Sequence, residues 1–295
     1  MSVYRTPDER FENLPGYAFA PHYTEHDRMR MHRVDEGSGR PFLLLHGEPS
    51  WSYLYRKMIT VLAAKHRAVA PDYFGFGRSD KPEDIGWYSY DRHVESITAL
   101  VEQLDLRGMV VVVQDWGGPI GLRVATEMRE RVAGLVIMNT GLFTPSRSWP
   151  TEGFMQWRNF AERVGLDMPI GRIIDGATSS ALDEPVIAAY EAPWPVRESK
   201  AGVAAFPLLV PIDAGDPAAA SMRRVASELS EMPVPSLVAW SDSDPVFPPQ
   251  VGKAFARRLR GPVTEKQVVG ASHFLQEDAG PQIADWIMEW TTTLS

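Results

Sequence analysis

The sequence predicts an α/β fold with a mostly parallel central sheet flanked by helices and a helical segment inserted late in the chain. Three observations lead there. Short apolar runs alternate with helix-like stretches, one of these runs delivers an aspartate onto a glycine-supported turn, and the alternation breaks after residue 141 and resumes near residue 230.

Taken in order, the strand-like runs lie at residues 41–46, 66–70, 109–114, 134–138, 236–240 and 267–269. Strands alternating with helical patterns imply crossover connections and a parallel sheet, with ligands expected at the carboxyl ends of the strands. Between residues 142 and 229 only helix-like segments occur, at 152–164, 185–190, 200–205 and 218–228, separated by turns containing Pro or Gly. The reading is a helical cap over 142–229, set between two parts of one core at 1–141 and 230–295. Such a lid excludes water from a site at the strand ends. An independent helical domain without a catalytic role is the alternative.

The chain has 295 residues, 44% of them hydrophobic, and a formal net charge of −8, in the range of a globular protein of one or two domains. No basic stripe points to nucleic acid and no Lys/Arg cluster to an anionic membrane. Cysteine is absent, which excludes disulfides, thiol catalysis and thiolate metal sites. The first twenty residues are charged and lack an apolar signal region, and no run approaches the ~18 apolar residues of a membrane span. A cytoplasmic location is expected.

The run Val110–Val113 leads into Gln114-Asp115-Trp116-Gly117-Gly118. A nucleophile elbow usually reads Gly-x-Ser-x-Gly, with small residues around a strained turn that lifts the nucleophile above the sheet. Here Asp115 takes the serine place, Gly117 the later glycine and Val113 the earlier one. A carboxylate needs no base to ionise at neutral pH, so the chemistry shifts from acyl transfer toward displacement at an alkyl carbon. An Asp before Gly-Gly is also ordinary loop punctuation, and the rest of the chain must decide.

After the first predicted strand comes His46-Gly47-Glu48-Pro49. This turn either serves only to reverse the chain or aims the Glu48 backbone N–H at a developing oxyanion. In the second case the Trp116 N–H supplies the other donor, for a tetrahedral intermediate on Asp115 itself.

Of seven histidines, His273 is the best candidate for a general base, because Gly270-Ala271-Ser272-His273 follows the last strand-like run. His22, His26 and His32 sit in a charged N-terminal region, and His46 and His93 are read as supporting loops or packing. A carboxylate should orient the base and stabilise its cation. After the strand at 236–240, Asp242 and Asp244 both qualify, with Asp244 pinned by the following Pro245 and Asp242 suited to a turn.

HGEPSWSYLYRKMI, APDYFGFGRSDKP, VVVQDWGG, SDPVF and ASHFLQED together resemble the haloalkane dehalogenases of the α/β-hydrolase superfamily, from near the N-terminus through the last helix. The resemblance is to the branch whose catalytic acid follows the post-cap strand, which favours Asp244. A second branch uses a Glu at the end of the preceding strand and an Asn in the first loop, where this chain has Asn139 and Glu48. The resemblance implies attack of Asp115 on a halogen-bearing carbon, an alkyl-enzyme ester, and hydrolysis of that ester by water activated by His273. It implies no cofactor or metal, and a small halogenated alkane, water and halide as the only partners.

In the same branch a cap tryptophan within Gly-Phe-x-x-Trp joins Trp116 in binding halide, which matches Gly153-Phe154-Met155-Gln156-Trp157 and nominates Trp157. Phe154 and Phe206 match apolar pocket positions, and Val246 and Phe247, just after the acid, are expected to face substrate. An epoxide hydrolase shares the nucleophile and base but needs two cap tyrosines, of which Tyr190 is the obvious candidate. A fluoroacetate-type dehalogenase needs an arginine soon after the nucleophile, and Arg123 lies two turns later. The same fold also serves as a ligand-binding module with little turnover.

Overall fold

Three strands of the main sheet are buried at every residue: β3 (Pro41–Leu45), β5 (Met109–Gln114) and β7 (Ser236–Ser241). Strands buried on both faces belong inside a parallel sheet covered by helices on each side. A computed structural model describes residues 1–145, 150 and 152–294 and contains such a sheet. Its other strands are β1 (His22–His26), β2 (Met29–Gly37), β4 (Arg67–Pro71), β6 (Val132–Met138) and β8 (Val263–Val268). The spatial order is β1-β2-β4-β3-β5-β6-β7-β8, with β1, β2 and β4 paired antiparallel and every pair from β4 to β8 parallel.

The core helices are α1 (Arg56–Leu62), α2 (Tyr90–Gln103) and α3 (Gly117–Glu127), followed in the inserted segment by α4 (Glu152–Val164), α5 (Ile170–Gly176), α6 (Glu184–Glu191), α7 (Ala201–Leu209) and α8 (Pro217–Leu229). The chain ends with α9 (Pro249–Ala256) and α10 (Leu275–Thr291). The connection β3–α1–β4 runs one way across the sheet, whereas β4–α2–β5 and β5–α3–β6 run the other way. Right-handed crossovers therefore put α1 on the face opposite α2 and α3. In agreement, α1 packs on α10, while α2 and α8 pack on α3. The reversal of direction falls between neighbours β3 and β5, and a crevice opens at their carboxyl ends. Leu45 pairs with Val113, so the loops after the two strands emerge side by side.

Among the described residues no strand falls between Met138 and Ser236, where α4 packs on α7 and α5 on α6. The expected cap at 142–229 includes residues 146–149 and 151, which lie outside the described residues. The segment is tied to the core through Glu277 of α10, whose carboxylate accepts from Arg56 of α1 and from the Tyr190 hydroxyl of α6 at 2.5 Å, and pairs with Lys57 at 2.8 Å.

Two sheet features differ from the sequence reading. The hairpin β1–β2 was not expected; its two-residue turn, Asp27-Arg28, takes positive φ at both positions (49° and 64°) without the Asn-Gly or Asp-Gly pair that usually announces it. The last strand starts four residues before the expected run at 267–269, because Thr264, Glu265 and Lys266 belong to a half-exposed edge strand whose polar residues obscure the pattern. Among the described residues, no helix is long and apolar enough to cross a membrane.

Candidate active site

The turn after β5 holds Asp115 at φ 50°, a left-handed conformation uncommon for a residue with a side chain. Its backbone is over-determined by neighbours: the Asp115 N–H donates to Asn139 O at 3.0 Å, and the Thr140 hydroxyl donates to Asp115 O at 2.6 Å. Two glycines allow this packing. A Cβ at Gly47 would lie 2.3 Å from the Asp115 Cβ, and one at Gly118 would lie 1.8 Å from the Thr140 Oγ1.

The Asp115 carboxylate faces the loop after β3, where the Glu48 N–H donates to its Oδ1 at 2.8 Å. Burial pushes the Asp115 carboxyl above its ordinary range, and His273 together with the N–H groups of Glu48 and Trp116 acts against that push. The Glu48 side chain is itself buried, with Oε1 lacking a hydrogen-bond partner, and burial followed by the Asp115 charge pushes its carboxyl well above the carboxylate range.

His273, on the loop after β8, turns Nδ1 toward Asp244 Oδ2 at 3.0 Å and Nε2 toward Asp115 Oδ2 at 3.7 Å. Burial alone would pull the imidazole down, but Asp244, and then Asp115, raise it above its ordinary value. Asp244 is buried, and its second oxygen accepts from the Val246 N–H at 2.7 Å. Asp242 is turned elsewhere: its oxygens accept from the Gly270 N–H at 3.0 and 3.1 Å, and that bond holds its carboxyl below the usual range. The loop is braced by Asn139 at the end of β6, whose amide donates to Ser241 Oγ at 2.7 Å and Ser272 O at 3.0 Å.

A cavity of about 120 Å³ opens between these groups and the inserted helices. Asp115, Trp116 and His273 line it together with Phe154 and Trp157 of α4 and with Val246 and Phe247. Among the described residues neither indole N–H, of Trp116 or Trp157, has a hydrogen-bond acceptor. The Phe247 ring stacks over His273 at 5.9 Å.

Phe206 requires a correction. It does not line the cavity but is fully buried behind Trp116, 5.2 Å from that ring and in contact with Phe76 and His93. Its neighbour Pro207 faces the cavity instead, since consecutive positions on α7 point in different directions. Sequence reasoning also missed Phe143, Ile173, Ala177 and Val210, apolar lining residues in segments whose only signal was a general hydrophobicity shared with core positions. Tyr190 is not at the cavity, its hydroxyl being held by Glu277. Of the remaining histidines, His32 is buried against Asp72 at 2.7 Å, His46 bonds Gly47 O at 2.9 Å, and His93 is packed among rings. Among the described residues no group of three or more acidic or histidine side chains is gathered in a way that could hold a metal ion.

The α/β hydrolase fold family matches residues 40–169. A haloalkane dehalogenase from Mycobacterium marinum is 44% identical over 299 residues, covering 98% of this chain and 100% of the relative. This chain belongs to the haloalkane dehalogenase family. A haloalkane dehalogenase from Psychrobacter cryohalolentis is 43% identical, with 98% of each chain covered. The solved haloalkane dehalogenase DpaA from Paraglaciecola agarilytica, described as tetrameric, superposes with a TM-score of 0.92 at 37% identity, covering 97% of both chains. Membership of the haloalkane dehalogenases thus extends through the core and the inserted helices alike, and includes every segment that contributes to the cavity.

Proposed function

We propose that this protein hydrolyses small haloalkanes to alcohol, halide and a proton, with Asp115 as nucleophile, His273 as general base and Asp244 as the carboxylate that orients it. The observation that carries the reading is the juxtaposition of a buried carboxylate with two indole N–H groups that have no acceptor among the described residues, in an apolar cavity. In the first step an oxygen of Asp115 bonds to the halogen-bearing carbon, and the carbon–halogen electron pair leaves as halide between Trp116 and Trp157. In the second step His273 Nε2 takes a proton from water, the water oxygen attacks the Asp115 carboxyl carbon, and collapse of the tetrahedral species restores the carboxylate. The alcohol leaves with the proton taken up by the imidazole, and the second proton of the water is released as the Asp115 carboxyl ionises. The N–H groups of Glu48 and Trp116 stabilise the oxyanion, and Asp244 holds the imidazolium.

Cavity size supports short substrates. An engineered apolar cavity of about 150 Å³ holds benzene, so about 120 Å³ suits a chain of two to four carbons with its halogen. Residues 142–229 act in this reading as the cap, with 1–141 and 230–295 as the core. The epoxide alternative lacks its proton donor, because the Tyr190 hydroxyl is committed to Glu277.

Bromide release from 1,2-dibromoethane and 1-bromobutane at neutral pH without added metal tests the reading. Release by the wild type and none by Asp115→Ala is expected. Equal release by the variant would remove Asp115 from the reaction, and no release by either would turn attention to epoxides.

A further inference from the structure

We propose that Gln114 is a positioning residue for His273, its side-chain amide keeping the imidazole proton on Nδ1 and the lone pair on Nε2. The inference rests on the reading of His273 as the base.

Gln114 is the last residue of β5 and is fully buried. Its Nε2 lies 3.2 Å from His273 O and also 3.2 Å from His273 Nε2. The carbonyl oxygen only accepts, so the amide must present its NH₂ side there. One amide atom lacks a partner in either orientation, Oε1 as it stands, but the reversed amide would in addition set Oε1 against the His273 carbonyl oxygen, acceptor against acceptor. With one hydrogen on the carbonyl, the other is available to the imidazole Nε2, which accepts only when it carries no proton. The ring proton then resides on Nδ1, where Asp244 Oδ2 accepts it at 3.0 Å. Protonating Nε2 as well would set one N–H against another.

The other titratable neighbours act in the opposite direction wherever they are ionised. Asp244 faces Nδ1, Asp115 lies 3.7 Å from Nε2, Glu48 lines the same cavity from the loop after β3, and Asp278 of α10 accepts from the Ser272 N–H at 2.9 Å. The stacked Phe247 and edge-on Phe274 rings offer no charge. Two carboxylates beside one imidazole favour an ion pair, which is useless as a base. Gln114 opposes that state without adding a charge. The hydrolytic water takes over the Nε2 lone pair when it enters, while the amide keeps its bond to the His273 carbonyl.

Nitrogen-15 NMR of the wild-type imidazole, with no substrate present, is the direct test. At pH above the His273 titration Nδ1 should be protonated and Nε2 bare; a neutral ring that carries its proton on Nε2 overturns the proposal. The pH dependence of ester hydrolysis in single turnovers is the second readout, compared among wild type, Gln114→Met and Gln114→Glu. Both variants should move the acid limb to higher pH, by about half a unit or more for Met, as expected for loss of one hydrogen bond, and further for Glu. An unmoved limb in either folded variant means that Gln114 only packs. A failure of the underlying reading is seen separately: His273→Phe would then accumulate no alkyl-enzyme ester.

Discussion

His273 Nε2 stands 3.7 Å from Asp115 Oδ2, beyond hydrogen-bond range, while Nδ1 of the same ring stands 3.0 Å from Asp244 Oδ2. One imidazole is thus bracketed by two carboxylates but bonded to one. The open side is where a water aimed at the Asp115 carboxyl carbon would be polarised.

His273→Phe separates the two steps. The ring volume is largely kept, the nucleophile is intact, and no group can deprotonate water. Incubation with 1,2-dibromoethane should release up to one bromide per protein and leave an adduct on Asp115, detected by intact mass and peptide mapping. Continued turnover at more than a small fraction of the wild-type rate would assign the base elsewhere.

Asp244→Asn and Asp242→Asn should differ sharply. Loss of the Asp244 charge removes the partner of imidazolium and the acceptor for Nδ1–H, for which a drop of about 10⁴ in turnover is the expected order. Asp242 is partly exposed and bonded to the Gly270 N–H, away from His273, so its Asn variant should stay within a few-fold of wild type. Steady-state bromide release with both variants decides the matter, and a reversed ranking would move the acid to Asp242.

The pH profile has a definite sign. In the resting protein Asp244 and the Asp115 charge together raise His273. Once Asp115 becomes a neutral ester its contribution vanishes, so the imidazole of the intermediate loses its proton at lower pH than that of the resting state. Ester hydrolysis requires the neutral ring and is lost as pH falls through that lower value. The acid limb of single-turnover hydrolysis should therefore lie below the His273 titration measured by NMR in the free protein. A limb at or above that titration would contradict the Asp115–His273 coupling.

Much of this site can be read from the chain because its chemistry depends on local motifs. Asp115 and Trp116 follow a buried valine run, Glu48 follows Gly47, and His273 follows Gly270. In each case a strand end and a flexible turn are adjacent in sequence, and a parallel sheet necessarily brings strand ends to one edge. The expected positions of Phe154, Trp157, Val246 and Phe247 at the cavity rest on the same logic joined to family resemblance.

Where reading stopped, the reason was long-range packing. Phe206 and Pro207 are neighbours on one helix, and only the docking of α7 decides which of them faces the cavity. Asp27-Arg28 closes a hairpin because β2 already pairs with β4, a non-local condition that local turn chemistry does not announce. Tyr190 resembles a cap proton donor until α6 meets α10 and its hydroxyl reaches Glu277.

The sequence by itself determined the strand-to-turn chemistry, the alternation that makes a parallel sheet, and the residue types able to attack, donate and accept protons. Only the tertiary structure decided which of two nearby aspartates meets His273, how large the cavity is, and that Gln114 faces the imidazole. Those outcomes depend on distances between groups up to 159 residues apart, which are set by how helices and loops pack on the sheet and leave no periodicity in the chain.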